Sequence, residues 1–210
     1  MNRKLENQKD IWDKLAESWA RLRQKPFRDI KNLLERISNL KKGKILDVGC
    51  GNCRNLLIFA KKGFECYGID FSKNMLKYAK EFCSKNKIKV NLKYGLAEKI
   101  PFKDNSFDYV LSIAVLHHLN TKELREKAVE EIYRVLKKKG IALISAWNKF
   151  PLCLFIKNKY IKWKVKDKIY YRYYYFFSYW ELKRLLKKFN FRILNSSGWL
   201  NKNIWFLIEK

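Results

Sequence analysis

Proline and glycine are scarce, with 3 and 8 in 210 residues, and no linker, low-complexity tract or repeat period interrupts the chain. Long apolar runs are absent too. No stretch approaches the ~20 residues a membrane helix needs, and Met1 to Asp10 is polar and charged rather than a signal sequence. The expectation is a cytoplasmic protein with no membrane contact. The five cysteines, Cys50, Cys53, Cys66, Cys83 and Cys153, are an odd number at irregular spacing, which fits reduced thiols. Cys50 and Cys53 make a lone Cys-x-x-Cys. Structural zinc takes four ligands, and no second cysteine pair or histidine pair is placed to complete the set, so no metal is expected. With 48 % apolar residues the chain is long enough to bury roughly 70 % of its unfolded surface in a single domain.

Acidic residues are the other shortage, 20 against 47 Lys and Arg, for a net charge of +27. Residues 1–44 carry +7, residues 45–148 carry +8 and residues 149–210 carry +12, so the flanks hold most of the excess. A field of this size concentrates polyanions at the surface, and the excess goes beyond what solubility requires. Nucleic acid is the expected partner. The bland alternative is a lysine-rich surface that only keeps the protein soluble.

Apolar spacing predicts entry helices over 7–22 and 27–40, separated by Lys25-Pro26. From Gly43 short β-branched runs alternate with charged helical segments. Strands are expected at 44–48, 65–70, 90–94, 107–113 and 141–146, with helices at 53–62, 73–84 and 121–137. Gly140 is expected to cap the last of these helices, after a basic final turn. Residues 149–175 show little periodicity and look like an insertion over the sheet. A helix at 179–189 and strands at 191–195 and 204–209 follow, and the short loop between those strands makes them antiparallel. The fold class is therefore α/β: a doubly wound, mostly parallel seven-stranded sheet with its last strand antiparallel. One domain spans 1–210. It comprises entry helices (1–42), a cofactor-binding core (43–148), a basic aromatic insertion (149–176) on the substrate side, and a closing helix and strand pair (177–210).

The first strand ends in Asp47-Val48-Gly49-Cys50-Gly51-Asn52-Cys53 and the second in Gly68-Ile69-Asp70. Both ends lie at the carboxyl edge of the sheet, where doubly wound folds bind ligands. There glycines admit the ligand closely, and Asp70 can accept from two ribose hydroxyls. A dinucleotide is the competing ligand, but Arg54 stands where its third glycine would be. S-adenosylmethionine fits better, because nothing here must neutralise a pyrophosphate and Asp47 can reach the cationic methionine end through water or backbone groups.

In order and spacing, Asp47-Val48-Gly49-Cys50-Gly51, Gly68-Ile69-Asp70-Phe71-Ser72, Ala97-Glu98-Lys99-Ile100-Pro101-Phe102 and Ser106-Phe107-Asp108 through His117-His118-Leu119 resemble the class I methyltransferases over residues 40–148. Leu96 departs from that pattern, which often has Asp there. The resemblance implies cofactor contacts from Asp47, Gly49, Cys50, Gly51, Asn52, Asp70, Phe71, Met75, Ala97, Glu98 and Ile113. His117 and His118, the only histidines, follow the fourth strand. Either can touch the reacting group, or each is a packed or helix-capping histidine.

Flanking pieces resemble one subfamily, the tRNA wobble-uridine carboxyl methyltransferases: 11–16, 21–27, 112–118, 171–174 before Glu181-Leu182, and Asn203-Ile204-Trp205. The subfamily commonly has His where Tyr175 stands. This resemblance implies methylation of 5-carboxymethyluridine or its 2-thio form in the tRNA anticodon loop, and a small zinc-binding activator protein docked on the sheet edge. A carboxylate is ionised at neutral pH and needs no general base, so positioning is the main task. Arg23 and Arg172 are the candidate carboxylate grips, with His117 beside the reacting group. Lys25, Tyr173, Tyr174, Asn203 and Trp205 are the candidates for holding the nucleotide. Two alternatives stay open: a class I enzyme for a small quinone or lipid precursor, and a non-catalytic RNA-binding protein on the same fold.

Overall fold

The computed structural model describes residues 7–28, 30, 42–150 and 158–210. Most of the expected second entry helix, and Cys153, lie outside them. Helix α1 (Gln8–Leu22) leads to the seven-stranded sheet, and its Asn7 cap accepts from Lys9 N. The sheet strands and helices that follow are β1 (Lys44–Val48), α2 (Leu57–Lys61), β2 (Glu65–Asp70), α3 (Lys73–Lys85), β3 (Val90–Tyr94), β4 (Phe107–Ile113), α4 (Lys122–Val135) and β5 (Leu136–Trp147). A separate hairpin, β6 (Asn158–Val165) and β7 (Lys168–Tyr175), precedes α5 (Tyr179–Lys188), β8 (Arg192–Ser196) and β9 (Asn203–Glu209).

The strand order is β3-β2-β1-β4-β5-β9-β8, parallel except for β9, which runs antiparallel to both of its neighbours. β1 is apolar on both faces, as a central strand under two helix layers must be. Ile45 enters the core with Phe59, Cys66, Ala79 and Leu111, under α2 and α3, while Leu46 and Val48 enter the opposite core with Val110, Ile132, Leu182 and Phe206, under α4 and α5. Asp47 is the exception in this run, a carboxylate with no exposed surface. Helix starts follow the sequence: Ser72 and Thr121 accept from Met75 N and Leu124 N, and Ser178 forms a capping box with Glu181.

Two expectations are corrected. Helix α4 stops at Val135, and the chain is already extended at Leu136 because β5 begins there, against Phe107. Gly140 therefore caps nothing. Lys139 takes the left-handed conformation (φ 64), and Gly140 is required by space, since a Cβ would lie 2.7 Å from Lys137 O. The stretch after Asn148 is also more regular than expected. Ile161, Trp163 and Val165 alternate with lysines in strand period, and the eight-residue ladder of β6 and β7 runs from Asn158↔Tyr175 to Val165↔Lys168. This hairpin leans on α1: Trp163 Nε1 donates to Ser18 Oγ (2.9 Å), Gln8 Nε2 to Tyr171 O (3.2 Å), and Tyr173 N to Gln8 Oε1 (2.7 Å). Among the described residues no helix is long and apolar enough to cross a membrane.

Candidate active site

At the end of β1 the chain turns through Gly49 (φ +68) and Gly51 (φ +54). A Cβ on Gly49 would stand 2.6 Å from Val115 Cγ2, and one on Gly51 2.9 Å from the Trp19 ring. Conformation and space both demand glycine at these two positions. Cys50 N donates to Ile69 O (2.9 Å), and Asp70 accepts from Gly51 N and Ser72 N, both at 2.9 Å, one on each carboxylate oxygen. Each oxygen keeps a lone pair for a further donor. Burial pushes the Asp70 carboxyl up to about 6, against the opposing pull of those backbone N–H groups.

These groups open on a cavity of about 1160 Å³. Gly49, Gly51, Asp70, Phe71 and Met75 line one part of it, with Ala97, Glu98 and Ile113 beside them. The loop carrying Ala97 and Glu98 is held from α4. Ile100 N donates to Glu131 Oε2 (2.7 Å), while Arg134 pairs with Glu131 and donates to Ile100 O (3.0 Å) and Phe102 O (2.8 Å).

Another part of the wall is aromatic and cationic. Arg172, on β7 and 6 % exposed, sits over Trp163 (4.4 Å to the ring centroid), Tyr174 (5.1 Å) and Trp12 (5.6 Å). Its Nη1 donates to the Tyr174 hydroxyl, and among the described residues its Nε has no partner and no carboxylate pairs with it. Burial lowers its pKa, and Arg23, on the same cavity, adds repulsion. His117 is buried, and its Nδ1 accepts from Trp147 N (3.2 Å), which leaves the proton on Nε2; the ring stacks on Tyr174 at 5.2 Å. His118 Nδ1 lies 3.0 Å from Tyr173 O, an acceptor only, so there the proton is on Nδ1. Burial first, then neighbouring positive charge, holds His117 well below its usual range. For His118 burial outweighs the hydrogen bond to Tyr173 and lowers the group to about 4. Both rings are neutral at pH 7.

Residues 46–144 match the family model described as a methyltransferase domain. Those residues form a methyltransferase domain, and the fold is that of the class I S-adenosylmethionine-dependent methyltransferases. Among relatives of this methyltransferase is the tRNA (carboxymethyluridine(34)-5-O)-methyltransferase alkbh8 of Xenopus tropicalis, 33 % identical over 153 residues, which are 72 % of this chain and 23 % of the frog protein. The Arabidopsis thaliana protein of the same activity name is 34 % identical over 138 residues, 65 % of this chain and 31 % of that one. An uncharacterized protein of Methanocaldococcus jannaschii is 33 % identical over 154 residues, 71 % of this chain and 55 % of its own length. The chain thus spans between about a fifth and about half the length of these relatives. The fold matches an S-adenosylmethionine-dependent methyltransferase from Clostridium acetobutylicum with a TM-score of 0.75 at 14 % identity, over 95 % of this chain and 96 % of that one.

The cofactor of this domain is S-adenosylmethionine, and the glycine turn, the free lone pairs of Asp70 and the cavity in front of them fit it. Of the residues read from the sequence, Gly49, Cys50, Gly51, Asp70, Phe71, Met75, Ala97, Glu98, Ile113, Arg23, Lys25, His117, Arg172, Tyr174 and Asn203 all line the cavity. Four others do not. Asp47 is sealed behind the turn, neither oxygen hydrogen-bonded among the described residues, and burial pushes it up to about 8, so it does not reach the methionine end. Asn52 instead ties the entry segment down, donating to Arg23 O (2.7 Å) and Ala20 O (3.3 Å). Tyr173 is buried and donates to Asn120 O (3.2 Å), and Trp205 is packed on the core under α2 and α3, in register with Ser145. Tyr173 has no free face for a base, and Trp205 lies outside the cavity lining. Trp12, Trp19 and Trp147 line the cavity and were not singled out from the sequence. The seven-residue spacing of Trp12 and Trp19 on one face of α1 is the signal that marks two of them.

Proposed function

We propose that this methyltransferase esterifies the carboxyl group of 5-carboxymethyluridine, or its 2-thio form, at the wobble position of tRNA. The observation that carries the proposal is Arg172: a buried guanidinium, free of any carboxylate partner among the described residues, on the wall of the cavity that also meets the glycine turn. A buried cation without a counterion is costly to fold, and an anionic substrate group supplies that counterion. Arg23 adds a second positive charge on the same cavity.

The histidines support the same substrate chemistry. His117 Nδ1 is taken by Trp147 N–H, and His118 is a base no stronger than a carboxylate. Neither is set up to deprotonate an alcohol or amine at neutral pH, whereas a carboxylate arrives already ionised. S-adenosylmethionine, when bound, supplies an electrophilic sulfonium methyl group. Gly49, Gly51, Asp70, Ala97 and Glu98 hold that cofactor. Arg172 and Arg23 orient the carboxylate so that one oxygen faces the methyl carbon, and His117 keeps an Nε2–H donor beside them. Because the carboxylate is already ionised, no residue of the chain has to remove a proton, and the protein's part is to hold and orient. Tyr174, Lys25 and Asn203 hold the nucleotide.

The activity of the tRNA (carboxymethyluridine(34)-5-O)-methyltransferases among the relatives and the net charge of +27 support tRNA as the carrier of that carboxylate. No observation on this chain supports the zinc-binding activator, and the proposal stops at the tRNA. The test is single-turnover methyl transfer to two synthetic anticodon stem-loops, identical except for 5-carboxymethyluridine or plain uridine at the wobble position. Transfer to the first alone is expected. Equal transfer to both, or to neither, contradicts the proposal.

A further inference from the structure

The hairpin β6–β7 carries lysines that the proposed chemistry leaves unused. Lys162, Lys164, Lys166 and Lys168 are all exposed, none has an ion-pair partner among the described residues, and Asp167 is the single acid in the hairpin. The pleat sorts the hairpin into two faces. Ile161, Trp163 and Arg172 lie on one, toward α1 and the cavity. Lys162 and Lys164 lie on the other, with exposed Tyr160 (37 %) and Ile169 (51 %) among them, and Tyr160 reaches the cavity wall. Lys166 (φ 51) turns the tip and Lys168 closes it.

We propose that the outer face and tip of this hairpin form a clamp for the sugar-phosphate backbone of single-stranded RNA beside the nucleotide held at Arg172. The proposal rests on the RNA substrate argued above. Four ladder positions separate Arg172, opposite Ile161, from the Val165–Lys168 pair, a span of about 13 Å at ~3.3 Å per residue. That reach is enough to follow a short run of loop nucleotides next to the one at Arg172. Lysines on alternate positions of a rigid strand offer a row of point charges to successive phosphates, and Tyr160 offers a ring at the rim on which a neighbouring base can stack. The hairpin is pre-ordered for this by its hydrogen bonds to Ser18 and Gln8.

The test is direct binding of unmodified anticodon stem-loop RNA, without methyl transfer, to the full chain and to the variant Lys162→Gln/Lys164→Gln/Lys166→Gln/Lys168→Gln, between about 50 and 200 mM salt. Because the substituted side chains are exposed, an unchanged melting temperature and unchanged S-adenosylmethionine affinity serve as folding controls. The variant is expected to bind RNA at least about tenfold more weakly and to lose roughly 3 from the slope of log K against log salt, at ~0.7 per phosphate contact on single strands. Unchanged RNA affinity and slope would overturn the clamp. So would a variant that keeps its RNA affinity and instead loses binding to vesicles rich in anionic lipid, which would make the hairpin a membrane contact. If the wobble-carboxyl reaction fails while RNA binding remains lysine-dependent, the clamp stands and the substrate assignment falls.

Discussion

Replacing Arg172 by methionine separates the two readings of a buried guanidinium. If Arg172 is structural, its loss should cost what losing a well-paired buried charge costs, about 3–5 kcal/mol. The structure argues otherwise. Among the described residues its Nε is unpartnered and its one side-chain hydrogen bond runs to the Tyr174 hydroxyl. Contacts with Trp163, Trp12 and Tyr174 return about 0.5–2 kcal/mol, comparable with the ~1–3 kcal/mol cost of an unpaired buried donor. Methionine keeps the volume and the aromatic contacts. Stability should therefore stay within about 1 kcal/mol, a melting shift of roughly 2–4 °C for a chain of this size. Turnover should behave quite differently. Two charge-assisted hydrogen bonds to a carboxylate are worth about 1.5–3 kcal/mol each, so kcat/KM for the carboxymethyluridine stem-loop should fall on the order of a hundredfold or more, with S-adenosylmethionine affinity unchanged. Thermal unfolding, calorimetric titration of the cofactor and initial rates make the comparison. A melting temperature lowered by more than ~10 °C, with activity lost only in proportion to unfolded protein, would refute the reasoning.

The remaining expectations concern the cofactor side. Because the folded Asp47 pKa is raised to about 8 from the ordinary 3.8, the folded state holds a proton that the unfolded chain releases. Stability contributed by this group is greatest at low pH and is lost as pH rises toward 8. Asp47→Asn should flatten that slope and stabilise the unliganded protein above pH 8 by a few kcal/mol, and a variant no more stable at pH 8.5 would contradict this. Asp70 titrates at about 6, and ribose hydroxyls donate only to its ionised form with full strength. Cofactor affinity should therefore decline as pH falls through 6 and binding should take place with proton release at and just below it, which titration in buffers of different ionisation enthalpy would read; pH-independent affinity from 5 to about 8 counts against the role. Gly51→Ala forces a methyl to 2.9 Å from the Trp19 ring at φ +54. A loss of cofactor affinity of at least tenfold is expected from strain of roughly 2 kcal/mol, and near-normal affinity would mean that α1 gives way.

The parallel core was legible because its strands are short, β-branched and bounded by turn residues: the limits 44–48, 65–70, 90–94 and 107–113 match those observed. The glycine turn was legible for a related reason, since close approach at positive φ leaves few substitutes for Gly49 and Gly51. The failures have physical causes. The extension that begins at Leu136 cannot be read from the run Lys137-Lys138-Lys139, whose lysines suit a helix end equally well; what ends α4 is pairing of Leu136 with Phe107, far away in sequence. The hairpin was hidden because its strand period is confined to Ile161 through Val165, while the returning arm, Tyr170 to Tyr175, is aromatic on both faces and shows no alternation. The Arg172 cage was out of reach because Trp12, Trp163 and Tyr174 come from α1, β6 and β7 and meet only once the hairpin has folded onto the entry helix.

The most direct measurement is transfer of labelled methyl from S-adenosylmethionine to bulk tRNA that lacks this modification, followed by nucleoside analysis with and without mild alkali. The account predicts an alkali-labile label on a 5-substituted uridine of the anticodon loop, the signature of a methyl ester. An alkali-stable label would leave the methyltransferase in place and contradict the carboxyl acceptor, and label on a small molecule with none on tRNA would contradict the RNA substrate altogether.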